Sequence, residues 1–394
     1  MISFDEAVEL VRSLATPLGT ERIGLAEAAG RVLAAPVVAR IDSPRTDVSA
    51  MDGYAVRSAD LAELPASLAV VGESFAGAGW AGSVAPGTCA RIFTGAPVPA
   101  GADRIVIQEN VRREGVRAVI ESTGESACIR RRGSDFSAGD ELVAPGRLLD
   151  PRAIVAAAAA DVAEVEVFRS ARLRILSTGD ELAEPGTARD RPDAVPDSVS
   201  MGIAALAEEW GARCVDRTRL ADDLASMRRT AESAVAEADM VVVTGGASVG
   251  ERDFARAMFE PLGLELIFSR VAIKPGKPAW LGRVRSALVI GLPGNPTSAL
   301  VTGRLLLAPL LAGLTGQSIE QALRWRTLPL ATSLPACGSR ETFHRARSAG
   351  GKAEILAFQD SSAQKALAMA DLLVRQAANS QVVGAGTPVE VLDF

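Results

Sequence analysis

The chain has a single histidine, His344, among its 394 residues. Nucleophilic chemistry of the Ser-His-Asp kind could therefore run only through that residue, and a His-rich metal site is excluded. Cysteine is scarce as well. Cys89, Cys128, Cys214 and Cys337 are scattered with no C-x-x-C pair, which excludes a zinc ribbon and offers no disulfide framework. Positive charge is in deficit, with 42 Lys and Arg against 48 Asp and Glu and a net charge of −6. No global field draws the chain to nucleic acid or to an anionic membrane, so neither is expected as a partner. An unbroken apolar run of membrane length is missing too: the stretch 296–314 is interrupted by Arg304 and Pro309 and reads as a buried helix. The opening MISFDEAVELVRSLATPLG is acidic early and has no continuous apolar segment. No signal peptide is expected, and the cytoplasm is the expected location. Any bound metal is expected to be a hard cation on carboxylates, with Mg²⁺ the first candidate.

What is present points to a globular chain of more than one domain, with 48% apolar and 23% charged residues. Ser3 and Glu6 fit a capping box ahead of a helical stripe of Phe4, Ala7, Val8, Val11 and Leu14. Residues 45–146 are rich in glycine and proline, with short runs such as SLAVVG, CARIFTG and DRIVIQE, and predict a small β-rich unit. PRAIVAAAAADVAEVEVF (151–168) predicts an Ala-rich helix followed by a strand. From about 171 strand and helix patterns alternate, which implies a parallel sheet covered by helices. From about 326 short strands return, with one helical piece near 361–370.

In an open α/β sheet, ligands sit beyond the carboxyl ends of the strands, and the unusual residues gather there: STGDEL (177–182), RLADD (219–223), TGGASVGERD (244–253) and GLPGNP (291–296). Gly245, Gly246 and Gly250 let several N–H groups face one anion, although the same glycines would serve a tight turn. That loop has no lysine. Two are found in AIKPGKPAW, where Lys274 and Lys277 flank a Pro-Gly turn that would aim both ammonium groups into a small volume. Pro293, Gly294 and Asn295 precede a helix start carrying Thr297 and Ser298, which offers further donors or simple capping. Asp180, Glu181, Asp222, Asp223, Glu251 and Asp253 fall in the same loops. Such carboxylates suit Mg²⁺ bridging a phosphorylated substrate, and any one of them would equally serve as a helix cap or ion-pair partner. The arginine run in IRRRGSDF (129–136) reads as a solvated face.

Taken in order, SAMDGYAV, RIFTGAPVPAGAD, IRRRGSD, STGDEL, VPDSVS, GGASVGERDF, IKPGKP and GLPGNPTSA span nearly the whole chain. This ordered set resembles the MoeA family of molybdopterin molybdenumtransferases, which includes the E domains of gephyrin and of the plant Cnx proteins. The resemblance implies an α/β plus β, multidomain fold in a homodimer. Residues 20–44 with 141–170 would form a discontinuous first domain, and 45–140 a β-rich second domain. Residues 1–19 with 171–325 would form the central α/β molybdopterin-binding domain with its parallel sheet, and 326–394 a small C-terminal β-barrel. The implied reaction inserts molybdate into the dithiolene of adenylylated molybdopterin, with Mg²⁺-dependent hydrolysis that releases AMP and yields molybdenum cofactor. Transient partners would be the adenylyltransferase of the preceding step and apo-molybdoenzymes.

Carried over by motif, Asp52, Thr94, Glu181, Asp222, Asp253, Lys274 and Lys277 are the implied catalytic residues, with Glu181 and Asp253 able to hold metal. Asp52 and Thr94 would reach the α/β rim of the partner subunit. Gly245, Gly246, Ser248, Gly250, Pro293, Gly294 and Asn295 would cradle the pterin nucleotide. SRETFHRA (339–346) and QDSS (359–362) resemble C-terminal family segments and make Ser298, Arg340, Ser361 and Ser362 candidates for the oxyanion, with His344 packing or hydrogen-bonding within its motif. The chain departs from the family at Asp197-Ser198-Val199, where D-S-N is usual, at Ala247, and at Ala363, Gln364 and Lys365. Two alternatives stand beside this reading: the single-domain adenylyltransferase of the neighbouring step, which shares the G-G-x-S-x-G loop, and a divergent paralogue serving as a pterin-nucleotide-binding or protein scaffold.

Overall fold

A computed structural model describes residues 1–245 and 254–394. The alternation after residue 171 builds one six-stranded sheet from β1 (Arg172–Thr178), β2 (Arg213–Leu220), β3 (Met240–Thr244), β4 (Glu265–Phe268), β5 (Trp280–Val284) and β6 (Ala287–Leu292), in the order β2-β1-β3-β6-β5-β4. The first four neighbours run parallel. Helices Ser198–Glu209 and Leu224–Glu237 supply the crossovers that β1-to-β2 and β2-to-β3 need. β5 runs antiparallel to both of its neighbours, β6 and β4, so the sheet is mixed and the expectation of a parallel sheet is corrected. The reason is local. Only Arg285 and Ser286 separate β5 from β6, with Arg285 in the left-handed region at φ 55°, and a two-residue connection can join only antiparallel neighbours. All of β3 is buried, as expected of a strand covered on both faces.

The N-terminal helix Phe4–Leu14 starts at the expected capping box: Ser3 N donates to Glu6 at 2.7 Å and Glu6 N to Ser3 Oγ at 3.1 Å. Its buried stripe of Phe4, Ala7, Val8 and Val11 shares a core with Phe268, Val271, Leu306 and Leu310. The apolar stretch 296–314 is a helix long and apolar enough to cross a membrane, and 94% of it is buried inside the protein. It runs as α-helix over Pro296–Thr302 and Ala308–Leu314, with a π-helical turn at Gly303–Leu307 between them. Pro309 has no N–H and its ring crowds the carbonyl four residues back, which the wider turn accommodates. Arg304 is tolerated inside because it donates to the carbonyls of Asp393 and Ala322 and lies 5.4 Å from the Trp210 ring; burial lowers its pKa to about 10.

Three further units accompany this sheet. Thr20–Gly24 pairs antiparallel with Glu164–Phe168 over a core that includes Leu33, Val37, Leu149, Ala157 and Val167. Between them in sequence, Gly53–Val56, Ala66–Ser74, Thr88–Ile92, Arg104–Ile107, Val111–Glu114 and Arg117–Ile120 form the β-rich unit. The C-terminal unit is built on a third six-stranded sheet, in which Glu341–Ala349 pairs with Lys352–Ile355 and with Leu372–Gln376. Ile273–Lys274, on the connection from β4 to β5, joins that sheet beside Glu341–Thr342 and ties the two units together.

Candidate functional site

Three adjacent strands, β1, β3 and β6, end together: Ser177 lies opposite Thr244, and Thr244 opposite Leu292. Their last polar residues link across the rim. Thr178 Oγ1 donates to Thr244 O at 3.3 Å, and Thr244 Oγ1 to Ser177 Oγ at 3.2 Å. The loops that leave these strands touch because two residues have no side chain. Gly245 adopts φ 84°, and a Cβ there would stand 2.5 Å from Thr178 O; a Cβ at Gly294 would lie 3.2 Å from Gly245 Cα. Only glycine permits both the backbone angle and the contact. Because β5 runs antiparallel, it begins at this same rim, and the IKPGKP turn is delivered there.

The loops enclose a cavity of about 600 Å³. Glu181, Val195–Val199, Thr244, Gly245, Pro278 and Pro293–Pro296 line it from the α/β unit, and Ser362 and Gln364 from the C-terminal unit. The segment after β1 is anchored by Val195 N donating to Glu181 O at 2.8 Å and Asp197 N to Ala183 O at 2.9 Å. Acids of the rim divide by role. Asp197 caps the helix Ser198–Glu209, accepting from Ser200 N at 3.2 Å and Ser200 Oγ at 2.8 Å. Asp223 caps Leu224–Glu237 through Ala225 N and Ser226 N. Asp180 accepts from Asp222 N at 3.0 Å, bringing the RLADD loop to the STGDEL loop. Glu181 is exposed and lines the cavity.

Across the cavity, Asn295 Nδ2 donates to Ser361 Oγ at 3.2 Å and joins the α/β unit to the C-terminal one. Ser362 is held by Asp360, whose Oδ1 accepts from its N–H at 2.8 Å and its hydroxyl at 2.6 Å. A second cavity of about 300 Å³ is lined by Lys274, Cys337, Ser339, Arg340, His344 and Gln376 among others. His344 Nε2 pairs with Gln376 Oε1 at 2.7 Å, and burial holds its pKa below the ordinary histidine value.

Comparison with known proteins agrees with this architecture. Residues 2–160 match the MoeA N-terminal region (domain I and II), and residues 174–313 match a probable molybdopterin binding domain. The molybdopterin molybdenumtransferase of Haemophilus influenzae is 37% identical over 332 residues, covering 84% of this chain and 80% of that protein. The chain belongs to the MoeA family. The molybdopterin molybdenumtransferase of Synechococcus elongatus is 33% identical with 99% of each chain covered. A solved molybdopterin biosynthesis MoeA protein from Pyrococcus horikoshii superposes with a TM-score of 0.81 at 29% identity, covering 99% of this chain and 98% of that one. A multidomain MoeA-like fold over the whole chain leaves no room for the single-domain adenylyltransferase alternative.

In this MoeA-family chain the structure sorts the residues named from sequence. Glu181, Gly245, Pro293, Gly294, Asn295 and Ser362 meet at the larger cavity, and Ser361 bonds to its wall. Asp222 donates its N–H to Asp180, and neither residue lines that cavity. Ser298 is 5% exposed and outside the lining. Lys274 and Arg340 share the smaller cavity, which Lys277 does not line, so the two ammonium groups are not both aimed into it. Asp52 and Thr94 meet each other, but neither lines the larger cavity within one chain. Gly246, Ser248, Gly250, Glu251 and Asp253 lie outside the described residues. Sequence reasoning misses Thr178, Thr244, Pro278 and Gln364 as lining residues. The first two carry a readable signal, being polar residues that end buried apolar strands.

Proposed function

We propose that the chain inserts molybdate into the dithiolene of adenylylated molybdopterin and hydrolyses the pyrophosphate link, water attacking phosphorus and AMP leaving. The relatives above carry the name of this activity. The observation that carries the proposal is the larger cavity, which gathers Gly245 and Gly294 at the ends of β3 and β6 with Ser362 and Gln364 of the C-terminal unit. Its volume suits a nucleotide-sized ligand, and its glycines leave backbone N–H groups near the phosphates.

Mg²⁺ would supply charge neutralisation on the phosphates. Among the described residues no group of three potential metal ligands occurs. Mg²⁺ commonly takes only one or two carboxylates besides phosphate and water, so the exposed Glu181 fits such a site; Asp253, which lies outside the described residues, would be the second carboxylate by motif. Glu181 would also orient the attacking water, and Lys274 and Lys277 would bring cationic charge to the rim. Arg340, Ser361 and Ser362 would bind the oxyanion, with Ser298 acting from the helix start behind them.

The chain would act as a cytoplasmic homodimer in which Asp52 and Thr94 of one subunit complete the rim of the other. It would receive substrate from an adenylyltransferase and pass product to apo-molybdoenzymes. The domain limits inferred from sequence are kept in this proposal. The bridge between Leu330 and Ala353 brings the two ends of the C-terminal sheet together and supports the small-barrel reading.

Release of AMP from adenylylated molybdopterin in Mg²⁺, with and without molybdate, tests the proposal against Glu181→Gln. Molybdate-stimulated release by wild type that drops at least about a hundredfold in the variant is expected. Tight substrate binding without release by wild type would leave a binding protein on this fold.

A further inference from the structure

Arg345 is 1% exposed, and none of the described carboxylates lies within ion-pair distance of its guanidinium. Asp360 acts on this charge only from beyond ion-pair distance, and burying a cation without a directly bonded counter-ion is costly. The fork is spent on main-chain oxygens instead: Nη1 donates to Asp360 O at 3.0 Å and Nη2 to Phe358 O at 2.9 Å. Gln359, between those two residues, grips the same place from the opposite direction. Its Oε1 accepts from Arg345 N at 3.0 Å, and its Nε2 donates to Arg345 O at 2.9 Å and Leu356 O at 2.7 Å.

Residues 356–363 have no regular secondary structure, so nothing in a ladder orders them. The bonds from Arg345 and Gln359 replace that ladder. Arg345 itself sits within the strand Glu341–Ala349, opposite Leu373. Order therefore passes from a rigid strand through the guanidinium to Asp360, whose carboxylate sets Ser362, and to Ser361, which meets Asn295.

We propose that Arg345, braced by Gln359, is a positioning residue that fixes the 358–362 segment so that Ser361, whose Oγ accepts from Asn295, donates its hydroxyl to an oxyanion at the cavity wall, while Asp360 holds Ser362 in the lining. The inference rests on the reading of that cavity as the molybdate site. Neither residue touches the anion. Lysine at 345 keeps the charge but loses the planar fork that two carbonyls require. Leucine at 359 keeps both charge and fork and removes only the brace.

The test uses the full-length protein with molybdate and adenylylated molybdopterin. Arg345→Lys and Gln359→Leu are each expected to raise half-saturating molybdate roughly tenfold or more, as loss of supporting bonds does at other anion and metal sites. The rate at saturating molybdate and the binding of adenylylated molybdopterin stay within about twofold of wild type, and the double variant is less impaired than the product of the two effects. Titration calorimetry with molybdate alone gives a readout independent of turnover. If Arg345→Lys does not fold, Gln359→Leu carries the test by itself. Lower melting temperatures with unchanged half-saturation in the folded variants would overturn the positioning role. Absence of any molybdate dependence in wild type would overturn the cavity reading beneath it, a result visible before either variant is measured.

Discussion

Thr94 donates twice to one oxygen of Asp52: its backbone N–H and its hydroxyl both lie 2.7 Å from Oδ1. Two separate turns of the β-rich unit, at positions 52 and 94, are thus held together. The amide bond, then the hydroxyl bond, hold the Asp52 carboxyl below the ordinary aspartate value. Thr94→Val removes only the hydroxyl, so Asp52 should titrate higher while remaining ionised at neutral pH. Molybdate-stimulated AMP release is expected to fall roughly tenfold, the scale of one charge-assisted bond. An unchanged rate with a shifted Asp52 titration, followed by NMR, would separate Asp52 from the chemistry.

Asp52 does not line the cavity that Glu181 lines within one chain, so in the proposed homodimer the two would cooperate across subunits. Asp52→Ala and Glu181→Ala homodimers should each be nearly inactive. Co-expressed, the mixed dimer carries one site with both defects and one intact site, and should recover about half of wild-type activity per dimer. Purification through two different tags and an AMP-release assay measure it. No recovery would mean that the two residues do not serve one shared site.

Gly245 is expected to resist substitution. Alanine there meets both the positive φ and the Thr178 carbonyl 2.5 Å from its Cβ. A loss of about 1–3 kcal/mol in folding stability is expected, read as a lower denaturant midpoint. Nucleotide binding should weaken with it, because the loop can relieve the clash only by leaving the wall it shares with Gly294.

The lone histidine gives a clean pH experiment. Burial lowers the folded pKa of His344 from 6.5. Between the folded and unfolded values the unfolded chain holds the additional proton, so stability rises with pH through this window and is fully present above about 6.5. Acidification should therefore destabilise wild type more than His344→Gln between pH 7 and pH 5. The difference in urea midpoint between the two proteins isolates this group, since the carboxylates are common to both. A constant difference across that range would show that His344 titrates normally.

The N-terminal helix, the alternation that builds β1, β2 and β3, and the crowding of polar loops at their ends are all readable from residue order. Ser3 and Glu6 act three positions apart, and apolar periodicity reports burial within a few residues. The run of β5 was not readable in the same way, although Arg285-Ser286 is the two-residue connection that turns the sheet back. The arginines divide similarly. Arg131 and Arg132 pair with Asp47 and Asp42, which the solvated-face reading anticipates, whereas the buried fork of Arg345 depends on carbonyls of residues 358 and 360.

Sequence by itself determined most of the segments that become strands and helices and which polar loops crowd the rim, because caps, periodicity and glycine act over distances of a few residues. Only the tertiary structure decided the use of each side chain. Asp197 and Asp223 turn to cap helices, Glu181 faces the cavity, Lys274 parts from Lys277 to stand beside Arg340, and Asn295 finds Ser361 across two units. Those outcomes depend on which distant backbone donors and acceptors packing brings within about 3 Å of one another, and no local pattern encodes that choice.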